Sequence, residues 1–350
     1  MPVNRTVWRI PRAGSLARLR ACDETLPDPA PGEARVRVEA VGLNFADLFA
    51  CQGLYSATPP GGFVPGLECA GVIEALGAGP PTQGRFAVGD PVVALTRFGA
   101  YATAINIGLP YLRRTPAGWS ATQAAAWPVQ GLTAWYGLLP LGNVGPGKVV
   151  LVQSAAGGVG LLALEILRAI GASPVAVVGQ ECKRRFLEDQ RGLAQGSAVV
   201  RDPRRFAAQL DASLATIGAE GFDCVLDAVL GRTFQPAFDR LRPEGRYVLF
   251  GAADFMSASP RPNYPRLVLD YLRRPRLDPL AMISTNRSLM AFNLIWLWER
   301  AERLPAAYAE LEKLLTNPPY VGATFPFARA PEALRLLQGG ETIGKVVLVT

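Results

Sequence analysis

The sequence predicts an α/β protein in which a β-rich domain precedes a doubly wound parallel sheet. Three observations lead to this fold class. The chain has 350 residues, enough for two domains of roughly 150 residues each. Its first third alternates between apolar and polar residues, most clearly at 33–41, and is punctuated by glycine and proline. From 148 to 178 a strand, a glycine turn, a helix and a second strand follow one another, which is typical of a βαβ unit.

The amino terminus predicts a β-hairpin. Residues 1–22 contain five arginines and no acidic residue, which superficially resembles a transit peptide. However, 6–10 alternates as a strand does, 11–15 is typical of a turn, and 16–19 predicts a second short strand. No apolar signal core is present, so the sequence disfavours secretion.

The remaining elements follow from periodicity and glycine positions. The segment 122–139 predicts helical structure, and 161–170 predicts a helix that ends before Gly171. Because helical segments separate the later strands, the sheet of the second domain is expected to be parallel. Strands are predicted at 64–76, 87–95, 148–153, 175–178, 223–227, 246–250 and 344–349, the last of them returning to the first domain.

The composition excludes several kinds of chemistry. The chain has no histidine, so no Ser-His or Cys-His pair can form and the commonest metal ligand is missing. Its five cysteines are widely spaced, which disfavours a zinc site and a disulfide framework and indicates a reducing cytoplasm. No apolar run reaches about 18 residues, so no membrane span is predicted.

The net charge of +7 does not by itself indicate a nucleic-acid partner. Arginine supplies 32 of the 36 basic residues, and these are scattered along the chain. The densest clusters, at 183–185, 201–205 and 273–276, are first interpreted as solvated surface. Only the position of a cluster beside a motif makes it a candidate binding site for a small anionic ligand.

The strongest functional motif is the glycine-rich turn at 155–160, Ala-x-Gly-Gly-x-Gly. It directly follows a predicted strand and opens a predicted helix, the context in which such a turn binds a dinucleotide. The tight turn lets the backbone approach a pyrophosphate, and the helix N-terminus directs free N–H groups toward it. The alternative is that the glycines serve only close packing of the helix on the sheet.

The residues after the second strand of this unit favour NADPH over NADH. A carboxylate there would bind the ribose 2′-hydroxyl, whereas cations would bind a 2′-phosphate. Gly179 ends the strand, and the cationic run 183–185 follows a single acid, Glu181. Glu181 lies about 20 residues beyond the glycines, so NAD stays open. A first-turn helix acid is the favoured interpretation of that residue.

Several further segments carry a family signature, namely 41–48 with 52–55, 65–73, 88–92, 155–160, 286–297 and 344–346. Together they resemble the zinc-free quinone oxidoreductase (zeta-crystallin-like) branch of the medium-chain dehydrogenase/reductase superfamily. Within that branch the chain looks most like the synaptic-vesicle amine-transport-protein-like reductases. The similarity covers about residues 30–350.

The resemblance implies a GroES-like catalytic domain at 1–125 and 285–350, and a Rossmann NADPH-binding domain at 126–284, with the cofactor between them. It also implies a metal-free site. Zinc-dependent relatives have a cysteine near the position of Asn44 and a histidine before Glu68, where this chain has Leu67. A homodimer is expected from the family alone.

The resemblance also places the cofactor on particular residues of this chain. The nicotinamide end would meet Asn44, Thr133, Phe250, Gly251, Phe292, Asn293 and Leu294, with Lys345 near the edge of the pocket. The pyrophosphate would meet Ala156, Gly157, Gly158, Val159 and Gly160, and the 2′-phosphate Gly179 and Lys183. Three positions depart from the family pattern: Gln180 replaces a serine or threonine, and Arg201 and Phe49 each replace a tyrosine. Arg201 could stack on the adenine or add a phosphate contact.

The reaction that the resemblance implies is hydride transfer to a carbon conjugated to a carbonyl. With neither metal nor histidine, the charge on the carbonyl oxygen must be stabilised by amides, hydroxyls, backbone N–H groups or the cofactor ribose. Asn44, through its amide, and Tyr55, as a proton donor, are the candidate catalytic residues. Packing of Tyr55 against the turn before Pro59 and Pro60 is an equally open interpretation.

Three functions stay open at this point. The leading one is a zinc-independent NADPH-dependent reductase of a quinone or an α,β-unsaturated carbonyl compound. The second is an enoyl-thioester reductase of polyketide or fatty-acid metabolism, for which arginines at 261–276 could bind an anionic acyl carrier. The third is a non-catalytic NADPH-binding or membrane-associated protein. A helix predicted at 293–304 could close the pocket with Trp296 or Trp298, or both could be core residues.

Overall fold

The computed structural model describes residues 1–78 and 85–350, which form a seven-stranded sheet, a six-stranded sheet and a separate hairpin. The strands are β1 (Val3–Arg9), β2 (Arg20–Leu26), β3 (Glu33–Gly42), β4 (Glu68–Leu76), β5 (Pro91–Leu95), β6 (Ala104–Gly108), β7 (Leu112–Arg114), β8 (Val149–Gln153), β9 (Ser173–Val178), β10 (Ala198–Val200), β11 (Phe222–Asp227), β12 (Leu241–Leu249), β13 (Ser288–Ala291), β14 (Val321–Pro326) and β15 (Lys345–Val349). The helices are α1 (Phe45–Cys51), α2 (Ala121–Ala125), α3 (Pro128–Tyr136), α4 (Gly158–Ala169), α5 (Glu181–Arg185), α6 (Phe206–Thr216), α7 (Phe234–Asp239), α8 (Tyr264–Leu272), α9 (Pro279–Thr285), α10 (Leu304–Leu314) and α11 (Ala330–Gln338). None of the helices in the described residues combines the length and apolarity needed to cross a bilayer.

The six-stranded sheet is parallel throughout, in the order β10-β9-β8-β11-β12-β13. This is the order of doubly wound dinucleotide-binding sheets, in which ligands bind beyond the carboxyl end of the central strand. The central strand β8 consists of Val-Val-Leu-Val-Gln, and all five residues are buried. A continuous apolar run is expected there because helices cover both faces of the strand. The predicted α/β class and the parallel sheet are confirmed.

The two faces of this sheet have separate cores. Val150 and Val152 pack in the cluster that contains residues of α3, α4 and α10. Leu151 lies between them in sequence and packs in the opposite cluster, with residues of α6 and α7. This alternation is the period of two that every strand has. The residues of β8 before Gln153 are therefore buried on both faces of the sheet.

The seven-stranded sheet has the order β14-β15-β3-β4-β5-β7, and β6 also pairs with β3. The last strand, β15, pairs antiparallel with β3 and parallel with β14, so the chain returns to its first sheet as predicted. We call this sheet with β1, β2, α1, α2 and α11 the mixed-sheet lobe. The parallel-sheet lobe is the six-stranded sheet with α3 to α10.

The amino-terminal hairpin is present, but its second strand lies elsewhere than predicted. β1 pairs antiparallel with β2, in a register that opposes Val3 to Leu26. The prediction of a strand at 16–19 is wrong, because Leu16–Arg18 forms a 3-10 turn. Ser15 caps this turn by accepting a hydrogen bond from the backbone N–H of Ala17. Short local bonds of this kind compete with extended structure.

Two details after residue 284 also differ from the prediction. β13 pairs with β12, so 288–291 belongs to the parallel sheet although the catalytic domain was predicted to resume at 285. The helix predicted at 293–304 is a run of 3-10 turns from Leu294–Arg303, with a break at Arg300 where φ is −112° and ψ is 45°. Pro305 then occupies the first turn of α10, where its missing N–H costs no helical hydrogen bond. The remaining domain limits stay a prediction.

Candidate functional site

A cavity of about 900 Å³ lies between the two lobes. The mixed-sheet lobe contributes α1 with the turn after it, and the parallel-sheet lobe contributes α3, the glycine turn and the segments after β12 and β13. Much of the lining is aromatic, including Phe49, Trp135, Tyr136, Phe250 and Trp298. An apolar cavity with a few polar groups at defined positions is typical of a small-molecule site.

The structure brings most of the predicted site residues to this cavity. The lining residues among them are Asn44, Tyr55, Thr133, Gly157, Gly158, Val159, Gly160, Phe250, Gly251, Phe292, Asn293 and Leu294. Five predicted residues are not part of the lining, namely Ala156, Gly179, Lys183, Arg201 and Lys345. Ala156 and Lys345 are fully buried next to it, and the other three lie around the end of β9.

The glycine turn joins β8 to α4 and faces the cavity. No side chain caps the N-terminus of α4, so its first N–H groups are available to a ligand. A Cβ atom at Gly160 would lie 2.5 Å from the Cα of Ala155, a backbone contact that cannot relax, so only glycine fits there. On the far side of the turn, the backbone N–H of Gly344 donates to the carbonyl of Ala156 at 2.8 Å. The turn therefore fits a pyrophosphate, and it is also where the two lobes meet.

Lys183 and Arg201 form a cationic pair beyond the end of β9. Lys183 is only 8% exposed, and its Nζ donates to the carbonyl oxygen of Gly340 at 2.6 Å. Burial lowers the pKa of Lys183; the charges of Cys182 and Glu341 oppose this shift, and the charge of Arg201 adds to it. Neither cation forms a salt bridge with a carboxylate of the described residues. Two cations that no carboxylate binds directly are a suitable receptor for a phosphate.

Glu181, the acid of the same region, is already paired. Arg184 and Arg185 both bind its carboxylate, and hydrogen bonding from Arg184 lowers the pKa of Glu181 to about 2. Arg184 also pairs with Glu188. This arrangement agrees with the interpretation of Glu181 as a first-turn helix acid. It also means that two of the three consecutive cations are engaged with protein carboxylates.

Asn44 belongs to a closed network of buried charges at the floor of the cavity. Its Nδ2 donates to Glu68 at 2.9 Å and to the carbonyl of Gly42 at 3.2 Å, and its Oδ1 accepts from Lys345 Nζ at 2.9 Å. Lys345 also forms an ion pair with Glu68. Because both amide hydrogens have partners, the predicted role of Asn44 as a donor to substrate is not available in this arrangement. One lone pair of Oδ1 is left to accept a hydrogen bond.

The carboxylate of Asp47 organises the turn beneath this network. It accepts hydrogen bonds from the backbone N–H groups of Asn44 and Gly66 and from the hydroxyl of Tyr101. Burial raises the pKa of Asp47 to about 7, against the opposing effect of these hydrogen bonds. These contacts give Asp47 a structural role.

Tyr55 and Asn293 meet at the cavity from opposite lobes. The Tyr55 hydroxyl donates to Asn293 Oδ1 at 2.7 Å, and burial raises the pKa of Tyr55 to about 12. Tyr55 therefore lines the cavity with its hydroxyl hydrogen already used. Thr133 lines it too, although its hydroxyl donates to the carbonyl of Val129 in its own helix. The Thr133 hydroxyl can therefore only accept a hydrogen bond from a ligand.

The structure also separates the two tryptophans of the late segment. Trp298 lines the cavity and stacks on Tyr111, with ring centroids 3.7 Å apart. Trp296 is 46% exposed and lies below the guanidinium of Arg97. Only Trp298 is thus part of the site. The arginines at 261, 266, 273 and 274 do not line the cavity.

Two glutamines of the site were not singled out from the sequence. Gln130 is buried in α3, and a Cβ at Gly158 would lie 1.8 Å from its Oε1, so its amide packs on the glycine turn. Gln153 ends β8, lines the cavity, and has neither side-chain polar atom hydrogen-bonded within the described part of the chain. A lone polar residue in an otherwise apolar strand or helix was the available signal.

Comparison with known proteins places this geometry in a family. Residues 30–137 match the alcohol dehydrogenase GroES-like domain and residues 199–348 match the zinc-binding dehydrogenase model. The human synaptic vesicle membrane protein VAT-1 homolog is 30% identical over 326 residues, which cover 92% of this chain and 80% of the human protein. The quinone oxidoreductase from Thermus thermophilus, solved also with NADPH, has a TM-score of 0.78 and 29% identity over 99% of this chain and 100% of its own.

Two further relatives are a hybrid synthetase and an enoyl reductase. The hybrid PKS-NRPS synthetase pynA of Aspergillus niger is 30% identical over 342 residues, which are 93% of this chain but 8% of that protein. The CurK enoyl reductase has a TM-score of 0.75 and 26% identity over 99% of each chain. The shared sequence and the common two-lobe architecture lead to one conclusion: this chain belongs to the medium-chain dehydrogenase/reductase superfamily, in its zinc-free quinone oxidoreductase-like branch.

Proposed function

We propose that the protein is an NADPH-dependent oxidoreductase that reduces a quinone or an α,β-unsaturated carbonyl compound without a metal. One observation carries the proposal. A single cavity connects the uncapped N-terminus of α4 to a chamber with aromatic walls. The first part suits a dinucleotide pyrophosphate, and the second suits an uncharged conjugated substrate.

The residues around the cavity fit NADPH. The glycine turn leaves room for a pyrophosphate, and Gly179 has open space where a Cβ would stand. Lys183 has two ammonium hydrogens beyond the one that it gives to Gly340, and together with Arg201 it would bind the 2′-phosphate. The Glu181 carboxylate, which NADH would need for its 2′-hydroxyl, is held by two arginines. The NADPH complex of the Thermus relative supports the same cofactor.

Bound NADPH would supply a hydride, and the chain's own residues would bind and orient the cofactor and the substrate. Oδ1 of Asn44 can accept a hydrogen bond from a ribose hydroxyl, and Lys345 fixes that amide from below. Thr133 and Phe292 would border the nicotinamide end, and Phe250 and Gly251 would form its wall, since all four residues line the cavity. The apolar lining lowers the local dielectric, which strengthens every polar contact made inside.

An enoyl-thioester reductase is the second candidate, and similarity to the CurK enoyl reductase is the observation that favours it. The chemistry is the same, since hydride adds to a carbon conjugated to a carbonyl. The difference lies in the acyl carrier. The arginines that would meet an anionic carrier stand outside the cavity, so the second candidate requires them to act at its entrance.

We also infer a homodimer in a reducing, cytoplasmic environment. β13 is the edge of the parallel sheet, and α8 and α9, which precede it in the chain, expose Tyr264, Val268, Leu272, Leu280 and Ile283. An open sheet edge and exposed apolar residues are each suited to contact with a second copy of the chain. The five cysteines are free, as expected where disulfides do not form. Light scattering would measure the mass, and a monomer at micromolar concentration would contradict the dimer.

The test is NADPH oxidation by the purified protein with an ortho-quinone, an enone and an enoyl thioester in parallel. NADH is the control cofactor. We expect turnover of the quinone or the enone and a clear preference for NADPH. A preference for the thioester would support the second candidate. NADPH binding without turnover of any acceptor would contradict both and support a non-catalytic protein.

A further inference from the structure

The contact between Tyr55 and Asn293 spans the cavity. Tyr55 follows α1 in the mixed-sheet lobe, and Asn293 follows β13 in the parallel-sheet lobe. Both side chains line the cavity. Their hydrogen bond of 2.7 Å joins the hydroxyl of Tyr55 to Oδ1 of Asn293. Tyr55 is further held by edge-on packing against Phe98, with ring centroids 6.4 Å apart.

A backbone group fixes which way the Asn293 amide points. The N–H of Ile295 can only donate, and it bonds to Oδ1 of Asn293 at 3.4 Å, so Asn293 caps the segment that follows it. Two donors therefore converge on Oδ1, which places Nδ2 on the other side of the amide. Nδ2 has no hydrogen-bond partner within residues 1–78 and 85–350, and its residue lines the cavity. Its hydrogens are available to a ligand.

Three other candidate donors at the cavity, Asn44, Tyr55 and Thr133, already use their hydrogens, whereas Gln153 at the end of β8 keeps an Nε2 without a partner among the described residues. Asn44 gives one amide hydrogen to Glu68 and the other to Gly42. The single hydroxyl hydrogen of Tyr55 goes to Asn293, and that of Thr133 goes to Val129. A hydrogen bond accepted by an amide oxygen also polarises the amide and strengthens its N–H groups as donors.

We infer that Nδ2 of Asn293 binds the carbonyl oxygen of the substrate, and that Tyr55 is a positioning residue that holds the amide. The inference rests on the proposed function. A hydride supplied by bound NADPH, which would be oxidised to NADP⁺, would add to the carbon conjugated to the carbonyl, so that the electron pair of the double bond shifts and the carbonyl pair moves onto oxygen. Nδ2 stabilises the enolate oxygen, and the enolate then takes a proton from water to give the saturated carbonyl compound.

The decisive variant is Asn293→Asp. An aspartate keeps the acceptor for Tyr55 and for the N–H of Ile295, so the cap and the fold are retained, but it has no hydrogen to donate. We expect kcat to fall by about 100-fold or more, as when an oxyanion donor is removed. Tyr55→Phe should lower kcat by about tenfold or less, because it removes one neutral hydrogen bond. The control is Asn263→Asp, which changes an exposed cap of α8 away from the cavity.

A second readout is independent of turnover. Cyclohex-2-enone labelled with carbon-13 at its carbonyl is bound to the protein with NADP⁺, and its carbonyl stretch is measured by infrared difference spectroscopy. We expect a downshift in the wild-type protein and in Tyr55→Phe, and its loss in Asn293→Asp.

Retention of the downshift in Asn293→Asp, or its absence in the wild type, would overturn the inference. Loss in Tyr55→Phe alone would make Tyr55 the donor and also overturn it. If no acceptor is reduced while the downshift follows Asn293, the proposed function fails and the binding role of Asn293 stands.

Discussion

Lys345 and Lys183 are both buried, but only Lys345 lies against a carboxylate. Lys345 is 1% exposed and is enclosed by Glu68 and Asn44, whereas Lys183 is 8% exposed and bonds to the neutral carbonyl of Gly340. Burial lowers the pKa of both. A buried ammonium that is paired with a carboxylate needs no ligand to balance its charge. One that faces a carbonyl and a second cation has charge left for an anion.

The largest effect is expected at the ion pair between Lys345 and Glu68. Lys345→Met leaves the Glu68 carboxylate buried without its cation, so the free energy of unfolding should fall by about 3–5 kcal/mol. Urea denaturation at neutral pH measures it. The double variant Lys345→Met with Glu68→Gln should recover much of the loss, because the unpaired charge is gone. An unchanged midpoint in the single variant would contradict the structural role of Lys345.

Removal of Lys183 is expected to weaken cofactor binding rather than to lower stability. Lys183→Met should raise the Kd of NADPH by about 10–100-fold, since a hydrogen bond to a charged group contributes about 1.5–3 kcal/mol. The Kd of NADH should change little, and so should the free energy of unfolding. Titration of cofactor fluorescence measures both constants, and Lys313→Met, a lysine of α10 outside the cavity lining, is the control. Equal losses for both cofactors would remove the distinction between the two lysines.

The smallest effect concerns how the free energy of unfolding depends on pH through Asp47, which lies beneath the closed network. Burial raises the pKa of Asp47 from 3.8 to about 7, so the folded protein binds a proton that the unfolded chain has lost. The free energy of unfolding should therefore fall as pH rises from about 4 to 7. Asp47→Asn should reduce that slope, whereas Asp189→Asn, at an exposed position, should not. A slope unchanged in Asp47→Asn would show that other groups cause it.

Much of the fold could be predicted from the sequence, and most of the predicted site residues line the cavity. The glycine turn at 155–160, its strand and its helix follow from local rules on backbone geometry, and the family motifs carry Tyr55, Phe250 and Asn293 to one site. The hairpin partner at Arg20–Leu26 could not be predicted in the same way. Which of two neighbouring segments pairs with β1 depends on the sheet and core around them, and periodicity does not contain that information.

By itself, the sequence determined which chemistry is available: no histidine, a dinucleotide turn, and cations after the second strand. Only the tertiary structure decided which polar groups still have a donor or an acceptor available for that chemistry. Asn44 and Asn293 have the same side chain, but Glu68 and Gly42 accept from both N–H groups of the first, whose oxygen Lys345 also holds, and the second keeps an N–H group without a partner in the described part of the chain. The physical reason is that these partners are up to 301 residues apart along the chain. Hydrogen-bond saturation is therefore a property of packing, not of residue type.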